Sequence, residues 1–434
     1  MQVIKSIFHD KEMRRRLLFL VLIMAVYRLG ASIPVPGVNT NILAAQISDN
    51  SVLSMMNMLG GGALEKLSLF AMGVNPYITA SIIVQLLSMD VIPAWTEWAK
   101  SGEKGKRKLE KTTRYFCLIL SFAQAWSLVY GFDKQYSILE SSKTTSYLFT
   151  AVMLSAGSMV LLWLADQISK KGIGNGVSMI IFGGIVSNIP ALFAQTWNVL
   201  VKGSTGGEAF NGILQFALYL LFYLVLIVFV VIMETATRRV PIQYANSGAM
   251  AYANRGMTYL PIKLNSASVI PVIFAQSLIT APQIIISFFN HQLYTKLNTM
   301  FSLTSALGLT VYAVLILLFT FFYVDLQMDT HEMSENLKKS NAFIPGIRAG
   351  KDTETYLNKV IHRITSIGAV SLMILAILPY LLAKVTNLST MTGIGGTGII
   401  LIVGIALETI GQIRSAETKK NYSGVGLYEK YKKH

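Results

Sequence analysis

Apolar and polar positions alternate along this chain in long blocks. Runs of about 20 apolar residues, the length a helix needs to cross a ~30 Å hydrocarbon layer, recur near 17–33, 70–92, 115–132, 146–168, 176–197, 211–233, 266–289, 304–325, 364–384 and 395–413. The pattern predicts an all-α polytopic membrane protein with ten transmembrane helices. Arg14-Arg15-Arg16 precede the first run, as in a signal peptide. That run continues to Val35 with no small-x-small cleavage site, so it is read as a retained span.

Four runs are broken. The second contains Gly73 and Asn75-Pro76. The fifth opens on GIGNG (Gly172 to Gly176) and holds Gly183-Gly184. The seventh contains Pro271 and Pro282, and the tenth opens on GIGGTG (Gly393 to Gly398). Ten spans divide into five plus five, residues 1–198 and 199–434, and an odd number per half inverts the second half relative to the first. The breaks then fall at matching places, which marks the functional centre of an inverted repeat. Glycine and proline are also common in membrane helices generally, so simple helix packing stays open.

The broken runs carry apolar side chains at helical spacing. Val74 and Ile78 stand four apart, as do Val177 and Ile181. Ile273 follows Pro271 by two, and Leu401 lies in the tenth run. Around a shared centre they would form a ring of mostly β-branched side chains, stiff at χ1, of the kind that excludes water and ions by dewetting. The other reading is packing alone.

Composition agrees with the block pattern: 53% hydrophobic, 14% charged and a mean hydropathy of +0.52, against roughly 25% charged in soluble domains. The single cysteine, Cys117, lies in an apolar run and excludes an intrachain disulfide framework. The net charge of +15 could point to nucleic acid, but its distribution gives topology first. If the N-terminus is cytoplasmic, only Arg28, Lys66, Lys134, Lys143, Lys202, Lys296 and Lys384 fall elsewhere, and the other 30 of the 37 lysines and arginines are cytoplasmic. Both termini are then inside by the positive-inside rule. Three basic cytoplasmic loops result, 93–114, 234–265 and 326–363.

No catalytic or cofactor chemistry emerges. Arg28, Asp166, Glu234, Asp325 and Glu408 sit near helix ends and read as interfacial or snorkelling groups rather than a relay. The five histidines lie outside the apolar runs, with no metal-ligand spacing. GEKGKRK lacks the spacing of a P-loop, and GIGNG has no preceding strand to make it a dinucleotide fingerprint. The chain reads as a non-enzyme without a cofactor. A five-plus-five secondary transporter of a small solute is the rival reading. It explains the broken, inverted halves but neither the aliphatic ring nor the basic loops.

Eight stretches in order resemble the SecY family of protein-conducting channels: YRLGASIPVPGV, SLFAMGVNPYITASIIVQLL, EKGKRKLEKTTRY, GIGNGVSMIIFGGIVSNIP, RRVPIQYA, LPIKLNSASVIPVIFAQS, ENLKKSNAFIPGIRAG and GGTGIILIV. The resemblance implies an hourglass pore between two five-helix halves in the bacterial plasma membrane. Its waist would be Val74, Ile78, Val177, Ile181, Ile273 and Leu401. It implies a plug helix at about 51–67, including Gly60, Gly61, Gly62, Leu64, Glu65, Lys66 and Leu67, with the glycines easing its movement. It implies a lateral gate between segments 2 and 7, with Asn75 as an N-cap, Pro76 at the first helical position, and Thr79, Gln85, Pro271, Gln276 and Ser277 along the seam. Implied partners are SecE- and SecG-like subunits, signal peptides, nascent polypeptides, lipid, and the SecA ATPase at Arg348, with Arg107, Lys108, Arg238 and Arg239 as further docking residues. The tip of the 234–265 loop has only Arg255 among its basic residues, so ribosome docking there is weaker than in many family members.

Overall fold

A computed structural model describes residues 11–40, 57, 60–89, 91–139, 141, 143–202, 207–244, 258–289, 300–301, 303, 305–386 and 396–422. Twelve α-helices follow in order: α1 (Lys11–Ser32), α2 (Asn75–Leu87), α3 (Pro93–Lys100), α4 (Gly102–Tyr136), α5 (Thr144–Lys171), α6 (Gly176–Trp197), α7 (Gly207–Thr235), α8 (Ile270–Phe289), α9 (Ala306–Gln327), α10 (Thr330–Lys339), α11 (Lys351–Thr386) and α12 (Gly396–Tyr422). Among the described residues, seven are long and apolar enough to cross a membrane: α4, α5, α6, α7, α9, α11 and α12.

The other three expected runs coincide with α1, α2 and α8. The first turns of α1 are crowded with Lys11, Glu12 and Arg14 to Arg16. Helix α2 has only 13 residues, about 20 Å at 1.5 Å per residue. The front of the second run is not helical: residues 60–74 make a chain of turns that ends at Gly73, with φ +58°. A broken span was expected here, and the turns take up its first five positions, 70–74.

The helix starts are set locally. For α6, Asn175 Oδ1 accepts from the Val177 N–H at 3.1 Å, an N-cap of the kind that contributes about 1 kcal/mol. Pro271 sits in the first turn of α8, where its missing N–H leaves no bond unmade. It starts the helix and does not interrupt it, which corrects the expectation for Pro271; Pro282 lies inside α8. At α2 the N-cap position is Val74, with no side-chain cap, and Asn75 is already helical. The expected Asn75 cap is thus one residue out, and Pro76 is the second helical residue rather than the first.

The helices close around one large apolar cluster, to which α1, α2, α5, α6, α7, α8, α9, α11 and α12 all contribute. Helix α2 touches α8, and α6 touches α12. Long apolar side chains on α7, such as Leu218, Leu221, Leu224 and Ile232, remain exposed, as a lipid-facing helix requires.

One feature departs from an all-helical fold. β1 (Thr237–Tyr244), β2 (Thr258–Lys263) and β3 (Ala342–Phe343) form a three-stranded sheet in the order β2-β1-β3. β1 and β2 pair antiparallel, from Thr237 opposite Lys263 to Ile242 opposite Thr258. Val240 and Ile242, two apart on one face, are buried beneath it with Ile262 and Leu357. That period of two was hidden by Pro241 and by the charges of Arg238 and Arg239.

Candidate pore constriction

Four of the six expected ring residues line one small cavity. Val74 and Ile78 reach it from the α2 segment, Ile181 from α6 and Ile273 from α8, with Gly60, Gly73 and Asn75 completing the wall. Its volume is about 10 Å³, at the limit of holding a single water. Leu401 is buried and Val177 half-buried in the same apolar cluster. The cavity is thus narrowed to about the size of one water by mainly aliphatic side chains, with Asn75 the one polar side chain on its wall. Each methylene held there contributes about 0.8 kcal/mol against hydration.

Residues 60–67 begin at Gly60, which forms part of this cavity's wall. They are successive turns; of the rest of the expected plug, Asn57 is helical, and residues 51–56, 58 and 59 lie outside the described residues. Leu64 and Leu67 are fully buried, against Val35, Val129 and Leu154 among others. Glu65 and Lys66 are exposed. Asn57 holds the fold of the segment: its Oδ1 accepts from the Glu65 N–H at 2.9 Å, and its carbonyl accepts from Gly62 at 2.8 Å.

Two of the expected plug glycines also shape its contact with α6. Gly61 and Gly62 have φ of +70° and +81°. A Cβ on Gly61 would sit 3.0 Å from the Gly184 Cα and 3.0 Å from Tyr27 Oη. The pair lets the backbone bend left-handed and lie directly on α6. Gly184, singled out in the sequence as a helix interruption, is the other half of that contact.

Two residues missed as site residues hold the segment from α1. Tyr27 Oη donates to the Gly60 carbonyl at 2.9 Å, and the Arg28 guanidinium donates to the Gly61 carbonyl. Arg28 therefore does not snorkel. The signal was present in the sequence, as one arginine inside an apolar run, but its partner is a backbone carbonyl 33 residues away. The remaining end-of-helix charges are also bound: Asp166 to Arg114 at 2.8 Å, Glu234 to Asn265 at 2.6 Å, Asp325 to His362 at 3.6 Å and Glu408 to Gln412 at 3.4 Å.

Of the expected seam residues, Thr79 donates to the Asn75 carbonyl at 3.1 Å and Gln85 to Ser81 Oγ at 3.4 Å. Both bonds stay within α2, so neither residue bonds across to α8. Gln276 is buried and Ser277 half-buried on α8.

The expected docking residues are all exposed, on three elements. Arg107 pairs loosely with Glu103 at 3.7 Å, and Lys108 Nζ lies 5.4 Å from the centre of the Trp98 ring. Arg238 and Arg239, adjacent on β1, point to opposite faces. Arg348 rides the turn before α11, whose backbone is held by Thr353 Oγ1 donating to the Arg348 carbonyl and Ser334 Oγ donating to that of Gly350, both at 2.8 Å. Helix α10 is tied to α11 there by His331 Nδ1 and Glu354 Oε2 at 3.1 Å. The hydrogen bond to Glu354 raises the His331 pKa above its ordinary value, and the Lys339 ammonium lowers that of Glu335. Arg255 lies outside the described residues.

The SecY family model matches residues 68–410, from the capping segment into α12. The chain belongs to the SecY family. A Bacillus subtilis relative named protein translocase subunit SecY is 42% identical over 98% of this chain and 99% of its own length. A Staphylococcus carnosus relative of the same name is 38% identical over 97% and 98%. Among solved structures, one described as "The structure of a protein conducting channel" superposes with a TM-score of 0.65 at 18% identity, covering 95% of this chain and 94% of that one. Sec61 in a canine ribosome–channel complex gives 0.61, also at 18% identity, over 95% and 94%. At that identity the structures support the SecY-type fold. The sequence relatives carry the family.

Proposed function

We propose that this chain is the central pore-forming subunit of a bacterial plasma-membrane protein translocase. It spans the membrane ten times in two inverted five-helix halves, with both termini cytoplasmic. It passes unfolded secretory polypeptides through the constriction and releases hydrophobic segments sideways into lipid between α2 and α8. The observation that carries this reading is the closed aliphatic cavity under Gly60. A collar of Val74, Ile78, Val177, Ile181, Ile273 and Leu401 offers a passing chain no specific hydrogen bonds, so many sequences slide and none is trapped. Residues of about 51–67 act as the plug that seals its outer side at rest.

A signal peptide entering at the α2–α8 seam shifts the channel toward its open form. SecE- and SecG-like subunits complete the membrane complex. The basic cytoplasmic elements dock the motor, the SecA ATPase, with Arg348 foremost. Ribosome-bound relatives such as the canine channel support a ribosome as a second occupant of that face. A small-solute transporter is set aside, because the family model and the relatives this chain matches are those of a protein translocase subunit.

The test is Ile181→Asn together with Ile273→Asn. Two amides in the collar give water partners, so resting ion leak rises and precursors with weakened signals are exported. Leak and selectivity equal to wild type would refute the assignment.

A further inference from the structure

The amide of Asn265 sits where four elements meet at the start of α8, and only 2% of the residue is exposed. Its Nδ2 donates to Glu234 Oε1 at 2.6 Å, at the end of α7, and to the Ser268 carbonyl at 3.1 Å. The second bond closes the turn in which Ser268 takes φ +52°, a conformation a serine keeps only where its surroundings hold it. Helix α12 forms another side: a Cβ on Gly404 would lie 2.6 Å from Val269 Cγ2 and 3.8 Å from Glu234 Oε1. Helix α11 forms the last, where a Cβ on Gly368 would lie 2.5 Å from the Leu264 carbonyl. Asn265 Oδ1 is buried with no partner, so one amide nitrogen makes both bonds that join the end of α7 to the turn before α8.

We propose that Glu234 and Asn265 are positioning residues that set the angle at which α8 leaves this junction and so hold the α2–α8 seam shut at rest. The bond is charge-assisted, roughly twice as strong as a neutral one. It lies at the end of α8 that must pivot when the seam parts. Taking Asn265 away leaves the Glu234 carboxylate half-buried without its donor, which favours any arrangement of α8 that lets water in. The inference rests on the reading of α2 and α8 as the gate.

The experiment compares export, in cells that depend on the full chain, of one precursor with an intact signal and one with a shortened hydrophobic core. The readout is export of the shortened-core precursor divided by export of the intact one. Asn265→Ala and Asn265→Asp raise that ratio about tenfold, the effect of losing one such bond. In Asn265→Asp combined with Glu234→Gln, the Gln amide donates to the new carboxylate and the ratio falls back toward wild type. An unchanged ratio overturns the proposal, whether both precursors are exported normally or both decline together. So does a double variant that behaves like Asn265→Asp. A second arm tests the gate itself, with Ile78→Cys and Ile273→Cys joined by a short thiol crosslinker in a Cys117→Ala background. Export that survives the crosslink defeats the gate reading and this inference with it. Export that stops while the Asn265 ratios stay flat defeats this inference alone.

Discussion

The docking of the proposed plug against α6 depends on Gly61 having no side chain, and Gly61→Ala isolates that dependence. The residue has φ +70°, where an L side chain meets the following carbonyl at a penalty of about 1–2 kcal/mol. Its new Cβ would lie 3.0 Å from the Gly184 Cα. Because backbone cannot rotate away, relieving that contact adds about 1–3 kcal/mol of overpacking. A displaced plug escapes both terms, since it is free to choose another φ and no longer faces α6. The docked state is therefore disfavoured by about 2–5 kcal/mol, or roughly 30-fold to several thousand-fold in the ratio of displaced to docked plug. Resting conductance of the purified channel in planar bilayers, without a precursor, reads that ratio as opening frequency. Gly37→Ala is the control: φ there is +80°, with nothing within 4 Å of the added Cβ. Opening frequency for Gly61→Ala equal to wild type, or to Gly37→Ala, would refute the reasoning.

Arg28→Ala removes a charged donor from the Gly61 carbonyl, about 1.5–3 kcal/mol, and Tyr27→Phe a neutral one from Gly60, about 1 kcal/mol; both raise resting conductance, the first more, and the reverse order would contradict the geometry. The His331–Glu354 tie between α10 and α11 responds to pH. The folded pKa of His331 is raised, so its contribution is complete below the unfolded value of about 6.5 and is lost as pH rises through the folded one. Amide hydrogen exchange in α10, corrected for its intrinsic pH dependence, should lose protection across that window, and His331→Gln should flatten the response.

The sequence announced the helical blocks because membrane spans leave a long, high-contrast signal. Val74, Ile78 and Ile181, which share one cavity wall, were legible for the same reason, through apolar pairs at helical spacing. Contacts made by backbone stayed hidden. The turn structure of residues 60–67 is stabilised by carbonyls at Gly60 and Gly61, which no side-chain pattern records. Of their partners, Arg28 read as an interfacial group and Tyr27 drew no expectation. The sheet escaped notice because β1 pairs across 13 intervening residues from Tyr244 to Thr258 and carries Pro241 in its middle. Asn75 was placed as a cap from its residue type alone, whereas the backbone of the preceding turn starts the helix one position sooner.

The central claim is that a polypeptide in transit is encircled by the aliphatic collar. Photo-crosslinking groups placed singly at Ile181 and Ile273 in the full chain, with a secretory precursor arrested midway by a folded C-terminal domain, test it most directly. The account predicts adducts to the arrested precursor from both positions and none from an equivalent group at Leu218 on the outer face of α7. Adducts absent from both collar positions while the precursor is demonstrably spanning the membrane would contradict it.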